Sequence, residues 1–216
     1  MKHELEILYE DTHIIVCFKP HGLATQSRRA GVADLEHLLL NHIAENQKPP
    51  YLAVIHRLDQ PVSGILVFAK TPEAARKLNS ELTKEGFGKH YLALVDGIPS
   101  ENEGTLTDYM VKDGRTNTSH ICDKNTPNAK VARLSYRVLS TEASRSLLEV
   151  TLDTGRHHQI RVQLAHMGCP IVGDTKYNPA EKNVRGWQTI RLCAYRLEFH
   201  HPATNKLMTF KMEDRF

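Results

Sequence analysis

The order of predicted strands and helices constrains the fold of this chain more than any other feature. Two short apolar strands are predicted at residues 6–9 and 13–18, and they are joined at Asp11-Thr12. Leucines spaced through residues 35–43 predict a helix, and Thr71-Pro72-Glu73 begins another with an N-cap, a proline at the first helical position and an acidic first turn. Strands therefore interleave with helices in an order that fits neither a regular βαβ series nor an all-β sandwich. We expect an α+β domain with a mixed sheet.

The remaining elements follow from hydrophobic periodicity. In the stretch RHHQIRVQLAHMG, Ile160, Leu164 and Met167 recur at helical spacing, and Gly168 ends the predicted helix. Segment 112–130 is polar and follows neither period, so it is predicted to be a long loop, and such loops are usually functional or mobile. The sequence shows no internal repeat and no linker, which predicts one domain over residues 1–216. The other predicted elements are strands at 51–57, 64–70, 90–97, 133–139 and 147–155, a helix that runs from residue 71 to Gly86, and a hairpin around residues 202–205.

Composition narrows the classes to which the chain can belong. With 40% hydrophobic residues among 216, it has enough apolar material for a core. The formal charge of +3, from 28 basic and 25 acidic residues, is compatible with a polyanionic partner. The longest apolar runs are far shorter than the roughly 20 residues needed to span a bilayer, and residues 1–4 do not open a signal peptide. We therefore expect a soluble, cytoplasmic protein without a membrane partner. Four scattered cysteines form no C-x-x-C pair and are expected to be reduced thiols.

The thirteen histidines make a metal site the first chemistry to test. Two histidines at i and i+4 on one helix would suit zinc, but His157 is followed four residues on by Arg161, and His158 by Val162. No phosphate-binding or dinucleotide glycine motif occurs, and Ser63-Gly64 lacks the first glycine of a hydrolase elbow. The sequence therefore predicts neither a metal site nor a nucleotide cofactor.

The stretch HRLDQPVSG, residues 56–64, places a carboxylate between a predicted buried strand and a tight loop. Taken alone, Arg57 with Asp59 is equally well explained by a surface ion pair at a turn. A rigidly held carboxylate beside a guanidinium would stay ionised at neutral pH, which suits a nucleophile or a base. The residues alone leave open which electrophile meets Asp59.

Four sequence blocks together resemble the RluA family of RNA pseudouridine synthases. HRLDQPVSGILVFAK is similar to the family's catalytic signature, HRLD-x-x-T-S-G followed by an apolar strand and A-K. VCFKPHGLAT resembles the family's K-P-x-G-L element, and KHYLALVDG resembles its K-x-Y-x-A-x-V-x-G strand. TGRHHQIRVQLAHMGCPIVGDTKY resembles the block that runs from G-R-T-H-Q-I-R to G-D-x-x-Y. The blocks occur in family order and span nearly the entire chain.

The resemblance implies a fold and a set of site residues. The fold is the pseudouridine synthase fold, with a mixed, mostly antiparallel central sheet flanked by helices and loops. The implied catalytic residues are Asp59, Tyr91 as the base-stacking aromatic, and Arg161 as the basic partner of the aspartate. Taken singly, Tyr91 is also explained as a core tyrosine and Arg161 as a solvated helix arginine. Arg57 matches the arginine that fills the space left by the flipped uridine. The other implied substrate-binding residues are His56, Lys89 and Gln159, and for Lys89, Gln159 and Gln163 a scaffold role is the alternative.

Two positions depart from the family pattern. Val62 and His157 each occupy a position at which the family usually has threonine. Neither change removes a group that must do chemistry, so both bear on loop hydrogen bonding and substrate preference. The sequence starts directly at the catalytic blocks, and we expect a form without the S4-type RNA-binding domain that many relatives carry.

The implied reaction is an isomerisation in which the uracil glycosidic bond breaks and the base rejoins the ribose through C5. Such a reaction needs no redox group, metal or nucleotide. Asp59 would attack C1′ or remove a proton at C2′, and the residues do not decide between these routes. The uridine must be flipped out of its helix. The expected partner is ribosomal or transfer RNA, bound by a monomer. A catalytically silent RNA-binding or RNA-chaperone module of the same fold is the alternative, and a hydrolase using Asp59 with a histidine is a third.

Overall fold

The computed structural model describes residues 5–27, 31–45, 49–83, 87–182, 184 and 189–213. Contacts within the chain group them into two compact units. The first unit contains the described residues up to 89 and those from 194 onward, and the second contains those of 90–193. The prediction of a single domain stays a prediction. No helix in the described part of the chain is long and apolar enough to cross a membrane.

The helices and strands follow one another in the order β1 (Glu6–Glu10), β2 (Ile14–Lys19), α1 (Leu35–Ala44), β3 (Ala53–Val54), β4 (Ser63–Ala69), α2 (Pro72–Leu82), β5 (Gly88–Asp96), β6 (Glu103–Asp113), β7 (Thr118–Cys122), β8 (Lys130–Glu142), β9 (Arg145–Leu152), α3 (Gln159–His166), a single 3-10 turn (Pro179–Glu181), β10 (Leu192–His200) and β11 (Leu207–Lys211).

Strand β4 is the centre of the first unit. All seven of its residues are buried, as expected for an uninterrupted apolar strand covered on both faces. It pairs antiparallel with β2 and with the short β3, and β10 lies beside it. Hairpins extend the unit through β1 with β2 and through β10 with β11. The core is formed by apolar side chains of these strands and of α2, including Ile14, Val16, Ile65, Val67, Leu78 and Phe199.

Helix α2 begins as its sequence predicts. The Thr71 side chain accepts a hydrogen bond from the Ala74 amide at 3.1 Å, and Pro72 occupies the first turn. Ala74 and Leu78 are buried on one face. The helix ends at Leu82, and the predicted stop at Gly86 lies outside the described residues. Helix α1 starts at a fully buried N-cap, Asp34.

The second unit contains antiparallel strands in the order β5, β9, β8, β6, β7. On β5, Tyr91, Ala93 and Val95 share one buried face, as their alternation predicts. Helix α3 contacts β7, and Val162 of this helix packs with Met110 and Ala132 of the sheet. Helices and a mostly antiparallel sheet confirm the α+β prediction.

The prediction of a long loop over residues 112–130 is wrong. This segment holds the end of β6, the whole of β7 and the first residue of β8. Strand β7 lies at the end of the strand order, and among the described strands its one partner is β6, so most of its side chains are exposed or half-buried. Its polar residues therefore carry no hydrophobic period, although the backbone is paired. Strand β6, whose burial pattern alternates, was not predicted either.

Two other elements differ from their predicted extent. The strand expected at residues 51–57 is reduced to the two residues of β3. Helix α3 is buried around nearly its whole circumference, since all residues from Gln159 to Leu164 are buried. The predicted apolar stripe of Ile160, Leu164 and Met167 therefore does not separate a buried face of the helix from an exposed one. Met167, at the end of that stripe, is half-buried. The hairpin around residues 202–205 is confirmed by β10 and β11.

Candidate active site

The loop that carries Asp59 joins β3 to β4 in the first unit. Asp59 is half-buried, and its carbonyl accepts a hydrogen bond from the Val62 amide at 3.0 Å, which closes a tight turn. This bond uses only the backbone of Val62, so valine serves in place of the family's threonine, and its side chain is buried. The sequence-predicted loop is confirmed, and its carboxylate is held on a defined backbone.

Lys19, at the end of β2, supports this loop from inside the unit. Its side chain is fully buried, and its ammonium donates to the carbonyls of Pro20 at 3.0 Å, Leu23 at 2.7 Å and Gln60 at 3.1 Å. All three N–H groups of the ammonium are therefore used. Burial lowers the pKa of Lys19 to about 7, and the negative charge of Asp59 opposes that shift. A basic residue thus lies within electrostatic range of Asp59, in addition to any arginine.

Further hydrogen bonds fasten the segment after Lys19 to the Asp59 loop. The Thr25 hydroxyl donates to the Leu58 carbonyl at 3.0 Å and accepts from the Leu58 amide at 3.3 Å. His21 Nδ1 donates to the Pro61 carbonyl at 2.7 Å. Both residues before and after Asp59 are therefore anchored to the KPHGLAT stretch. The KPHGLAT block resembles a family element, but no signal in the sequence marks Lys19 as buried.

Gly64 ends the loop at a position where only glycine fits. Its φ of 141° lies in a region that L-residues rarely adopt. A Cβ atom there would lie 2.5 Å from the Ala194 Cβ and 2.6 Å from the Ala194 nitrogen. The close approach of β10 to β4 therefore requires the glycine of the HRLDQPVSG motif.

His56 and Lys89, both predicted to bind substrate, are neighbours in the first unit. The His56 ring packs edge-on against Phe87, with centroids 5.4 Å apart, and its Nε2 accepts a hydrogen bond from the Val67 amide at 3.4 Å. Burial, with a smaller contribution from the Lys89 charge, lowers the pKa of His56 to about 3. His56 is therefore neutral at physiological pH, and its hydrogen bond to Val67 ties the start of the loop to β4. Its substrate-binding role stays a prediction, as does that of Lys89.

Arg57 lies on the same loop with its side chain exposed. It makes no hydrogen bond or ion pair with any other residue that the structure describes. The surface ion pair of Arg57 with Asp59, the simplest explanation of the motif, is therefore not formed. An exposed guanidinium of this kind is available to an external anion.

Arg161 of α3 is buried in the second unit and is not a solvated helix arginine. Its Nε donates to Asp174 Oδ2 at 2.8 Å and its Nη2 to Asp174 Oδ1 at 2.7 Å, with side-chain exposures of 4% and 0% for the two residues. The pairing is bidentate, the strongest geometry for a guanidinium and a carboxylate. Sequence reasoning missed Asp174, although the GDTKY stretch that contains it belongs to the recognised block. The predicted pairing of Arg161 with Asp59 stays a prediction.

Aromatic and histidine side chains surround Arg161. The Tyr177 ring centroid lies 5.1 Å from the Arg161 guanidinium carbon. The Tyr177 hydroxyl accepts from the Ser119 amide at 2.8 Å and shares a 2.6 Å hydrogen bond with His158 Nδ1. Burial first, and then the Arg161 charge, lower the pKa of His158 to about 2, so this ring is neutral. His157, the second departure from the family pattern, stacks on His158 and bonds the Ser119 hydroxyl at 2.8 Å.

The two glutamines of α3 have protein partners. Gln159 is buried, its Oε1 accepts from Thr154 Oγ1 and the Arg156 amide, and its Nε2 donates to the Arg133 carbonyl. These contacts are those of a scaffold residue, and the substrate-binding role of Gln159 stays a prediction. Gln163 donates to Asp108 Oδ2 at 2.7 Å.

Tyr91 lies on β5 opposite Val150, and its side chain is 7% exposed. Its base-stacking role stays a prediction, as does the convergence of Tyr91 and Arg161 with Asp59. Among the described residues no group of His, Cys, Asp or Glu side chains is arranged to hold a metal ion. The four cysteines, all within the described residues, are not bridged by disulfides.

Comparison of the whole chain with known proteins shows that it is similar to RNA pseudouridine synthases. The family model described as RNA pseudouridylate synthase matches residues 13–166. An uncharacterised RNA pseudouridine synthase of Bacillus subtilis (strain 168) is 33% identical over 208 residues, which cover 95% of this chain and 67% of that protein. Ribosomal large subunit pseudouridine synthase D of Pseudomonas aeruginosa is 36% identical over 222 residues, which cover 96% of this chain and 68% of that protein. The chain thus spans about two-thirds of the length of these relatives.

Solved structures agree on the fold. The human RNA pseudouridylate synthase domain containing 1 superposes with a TM-score of 0.80 at 24% identity, covering 98% of this chain and 84% of that one. The human RNA pseudouridylate synthase domain containing 4 superposes with a TM-score of 0.76, also at 24% identity, and covers 97% of this chain and 88% of that one. The fold expected from the sequence is therefore confirmed.

Proposed function

Because this chain belongs to the RNA pseudouridylate synthase family, as an RluA-type member, we propose that it converts specific uridines of RNA to pseudouridine with Asp59 as the reactive carboxylate. Several relatives are named for the large ribosomal subunit, and we propose ribosomal RNA as the substrate ahead of transfer RNA. The protein acts as a cytoplasmic monomer without a cofactor in this proposal.

The observation that carries the proposal is the way the Asp59 loop is held. The turn bond to Val62, the Lys19 ammonium on the Gln60 carbonyl and the Thr25 bonds to Leu58 fix the backbone on both sides of Asp59. A carboxylate that only stabilised a turn would not need a buried cation beneath it. A carboxylate that reacts with ribose must be held in place, because small misplacements cost large factors in rate.

The proposed reaction is balanced within the nucleotide itself. The N1–C1′ bond breaks and a C5–C1′ bond forms, while C5 loses its proton and N1 gains one. Asp59 enters either by attack at C1′ or by removal of the C2′ proton to give a glycal. In either route the carboxylate is regenerated, so no co-reactant is consumed.

The target uridine must leave its stack before Asp59 can reach the ribose. Unstacking costs a few kcal/mol. We propose that stacking on Tyr91 and insertion of the exposed Arg57 offset this cost. The exposure of Arg57 supports the second role, because a guanidinium already engaged on the protein surface would first have to be released.

Release of tritium from RNA labelled at uridine C5 measures the proposed reaction directly, since the C5 hydrogen is lost to solvent. Ribosomal and transfer RNA are supplied as separate substrates. Asp59→Asn, which is nearly isosteric, is expected to remove turnover, whereas Glu45→Gln, an exposed carboxylate of the same unit, keeps it. Tritium release by Asp59→Asn within tenfold of the parent would exclude Asp59 as the reactive group. RNA binding by the parent without tritium release would indicate the catalytically silent RNA-binding module instead.

A further inference from the structure

In the buried ion pair of Arg161 and Asp174, the carboxylate makes further hydrogen bonds besides those to the guanidinium. Asp174 Oδ1 accepts not only from Arg161 but also from the backbone amides of Lys176 at 3.0 Å and Tyr177 at 3.3 Å. Its turn is closed by a bond from the Asp174 amide to the Ile171 carbonyl at 3.2 Å. The carboxylate is therefore held in one position before it meets the guanidinium.

The turn itself is fixed by the residues on either side of Asp174. Gly173 has a φ of 77°, and a Cβ there would lie 2.2 Å from the Thr189 carbonyl oxygen, so the chain passes tightly against a neighbouring segment. Asn178 Nδ2 donates to the Ile171 carbonyl at 3.1 Å and to Asp96 Oδ2 at 2.8 Å. Asp174 is thus carried on a rigid support that belongs to the same unit as α3.

Tyr177 restricts the guanidinium from a second direction. The Asp174 carboxylate accepts hydrogen bonds from Arg161 Nε and Nη2, which lie in the plane of the guanidinium. The centroid of the Tyr177 ring lies 5.1 Å from the central carbon of the same guanidinium. The ring is fixed in turn by its hydroxyl, which is tied to Ser119 and His158. A guanidinium held through Nε and Nη2 directs its Nη1 side away from that carboxylate, toward any second anion.

Stability alone does not account for this arrangement. Replacing a buried ion pair by apolar side chains of similar volume is often neutral or stabilising, because desolvation of the two charges offsets their attraction. A bidentate pair with an aromatic ring beside it does, however, fix the direction of an arginine.

We propose that Asp174 and Tyr177 are positioning residues that orient Arg161 for the pseudouridylation reaction. This inference rests on the proposed function, since it assigns Arg161 to the reaction. Asp174 and Tyr177 act through Arg161 and do not touch the substrate. They set the direction in which Arg161 presents its charge.

The test separates positioning from stability by comparing single and double substitutions. Asp174→Asn leaves Arg161 buried without its counter-charge, so both thermal stability and kcat should fall. Adding Arg161→Met removes the unpaired charge, and the double variant should regain most of the stability. If Asp174 acts by orienting Arg161, Arg161→Met alone lowers kcat on the order of 100-fold with KM within about threefold of the parent, and the double variant has the same kcat as Arg161→Met. A double variant that regains both stability and kcat overturns the proposal.

Tyr177→Phe tests the same idea without removing a charge. It keeps the ring beside Arg161 and removes only the hydroxyl that ties the ring to Ser119 and His158. We expect kcat to fall about fivefold or more, the size of one lost hydrogen bond, with an unchanged Kd for RNA. Tyr109→Phe, an exposed tyrosine of the same unit, is the matched control and should retain full activity.

The outcomes distinguish the two proposals. A parent chain that releases no tritium overturns the proposed function and this inference together. An active parent whose Tyr177→Phe variant has an unchanged kcat overturns only the positioning role.

Discussion

The buried ammonium of Lys19 should make the stability of this protein depend on pH. Its pKa is about 7 in the folded chain, against an ordinary value of 10.5, because burial penalises the charged form. Between these two values the unfolded chain binds more protons than the folded one. The free energy of unfolding therefore rises with pH from about 7 toward 10.5, and below about 7 the full cost of burying the ammonium is present.

The size of the effect follows from the same numbers. A gap of 3.5 units, from 10.5 to 7, corresponds to about 5 kcal/mol over the whole range. Between pH 6 and pH 9 the Lys19 contribution should reach about 3 kcal/mol. Above pH 9 the buried Cys17 thiol opposes it, since burial raises the pKa of Cys17 to about 12 and its contribution to stability declines with rising pH.

Lys19→Met isolates this contribution. The variant has no ammonium to bury, but it leaves the carbonyls of Pro20, Leu23 and Gln60 without their donor, at a cost of about 1–3 kcal/mol each. That cost does not vary with pH. The difference in unfolding free energy, parent minus variant, should therefore increase by about 3 kcal/mol from pH 6 to pH 9.

Urea unfolding followed by circular dichroism at pH 6, 7, 8 and 9 measures the difference. All other titrating groups are common to both chains and cancel. Lys206→Met, an exposed lysine of the same unit, is the control and should run parallel to the parent. Parallel profiles for Lys19→Met and the parent would mean that the lysine keeps its proton throughout, and would refute the lowered pKa of the buried ammonium.

Other perturbations test the loop and the substrate class. Asp59→Asn should leave thermal unfolding unchanged and bind RNA as tightly as the parent or more tightly, because the carboxylate repels phosphates; weaker binding in a filter assay would contradict this. RNA affinity should fall with salt at a log–log slope of about −0.7 per phosphate neutralised on single strands, and a flat profile would argue against RNA as the substrate. Gly64→Ala places a methyl group against Ala194 and should lower Tm by roughly 10 °C or more, whereas Gly114→Ala, with open space around it, should change Tm little.

Elements whose signals are local were predictable from the sequence. The hairpin of β1 and β2, helix α2 from its Thr71 cap, and the hairpin of β10 and β11 all follow from neighbouring residues, and the structure confirms them. The loop of Asp59 was predictable for the same reason, because a glycine and a proline punctuate it. The family resemblance located the blocks in which the site residues lie.

Tertiary structure decided which polar residues are buried. Lys19 donates to Gln60, 41 residues away, and Arg161 pairs with Asp174 across a turn that only Gly173 permits. Lysine and arginine side chains are most often exposed, so the sequence predicts that Lys19 and Arg161 face solvent and not the core. Strand β7 was missed because an edge strand can pair its backbone while its polar side chains face water. Hydrophobic periodicity in a sequence reveals which face of an element is buried only when the buried residues are apolar. A polar side chain that is buried by partners distant in sequence gives no such signal.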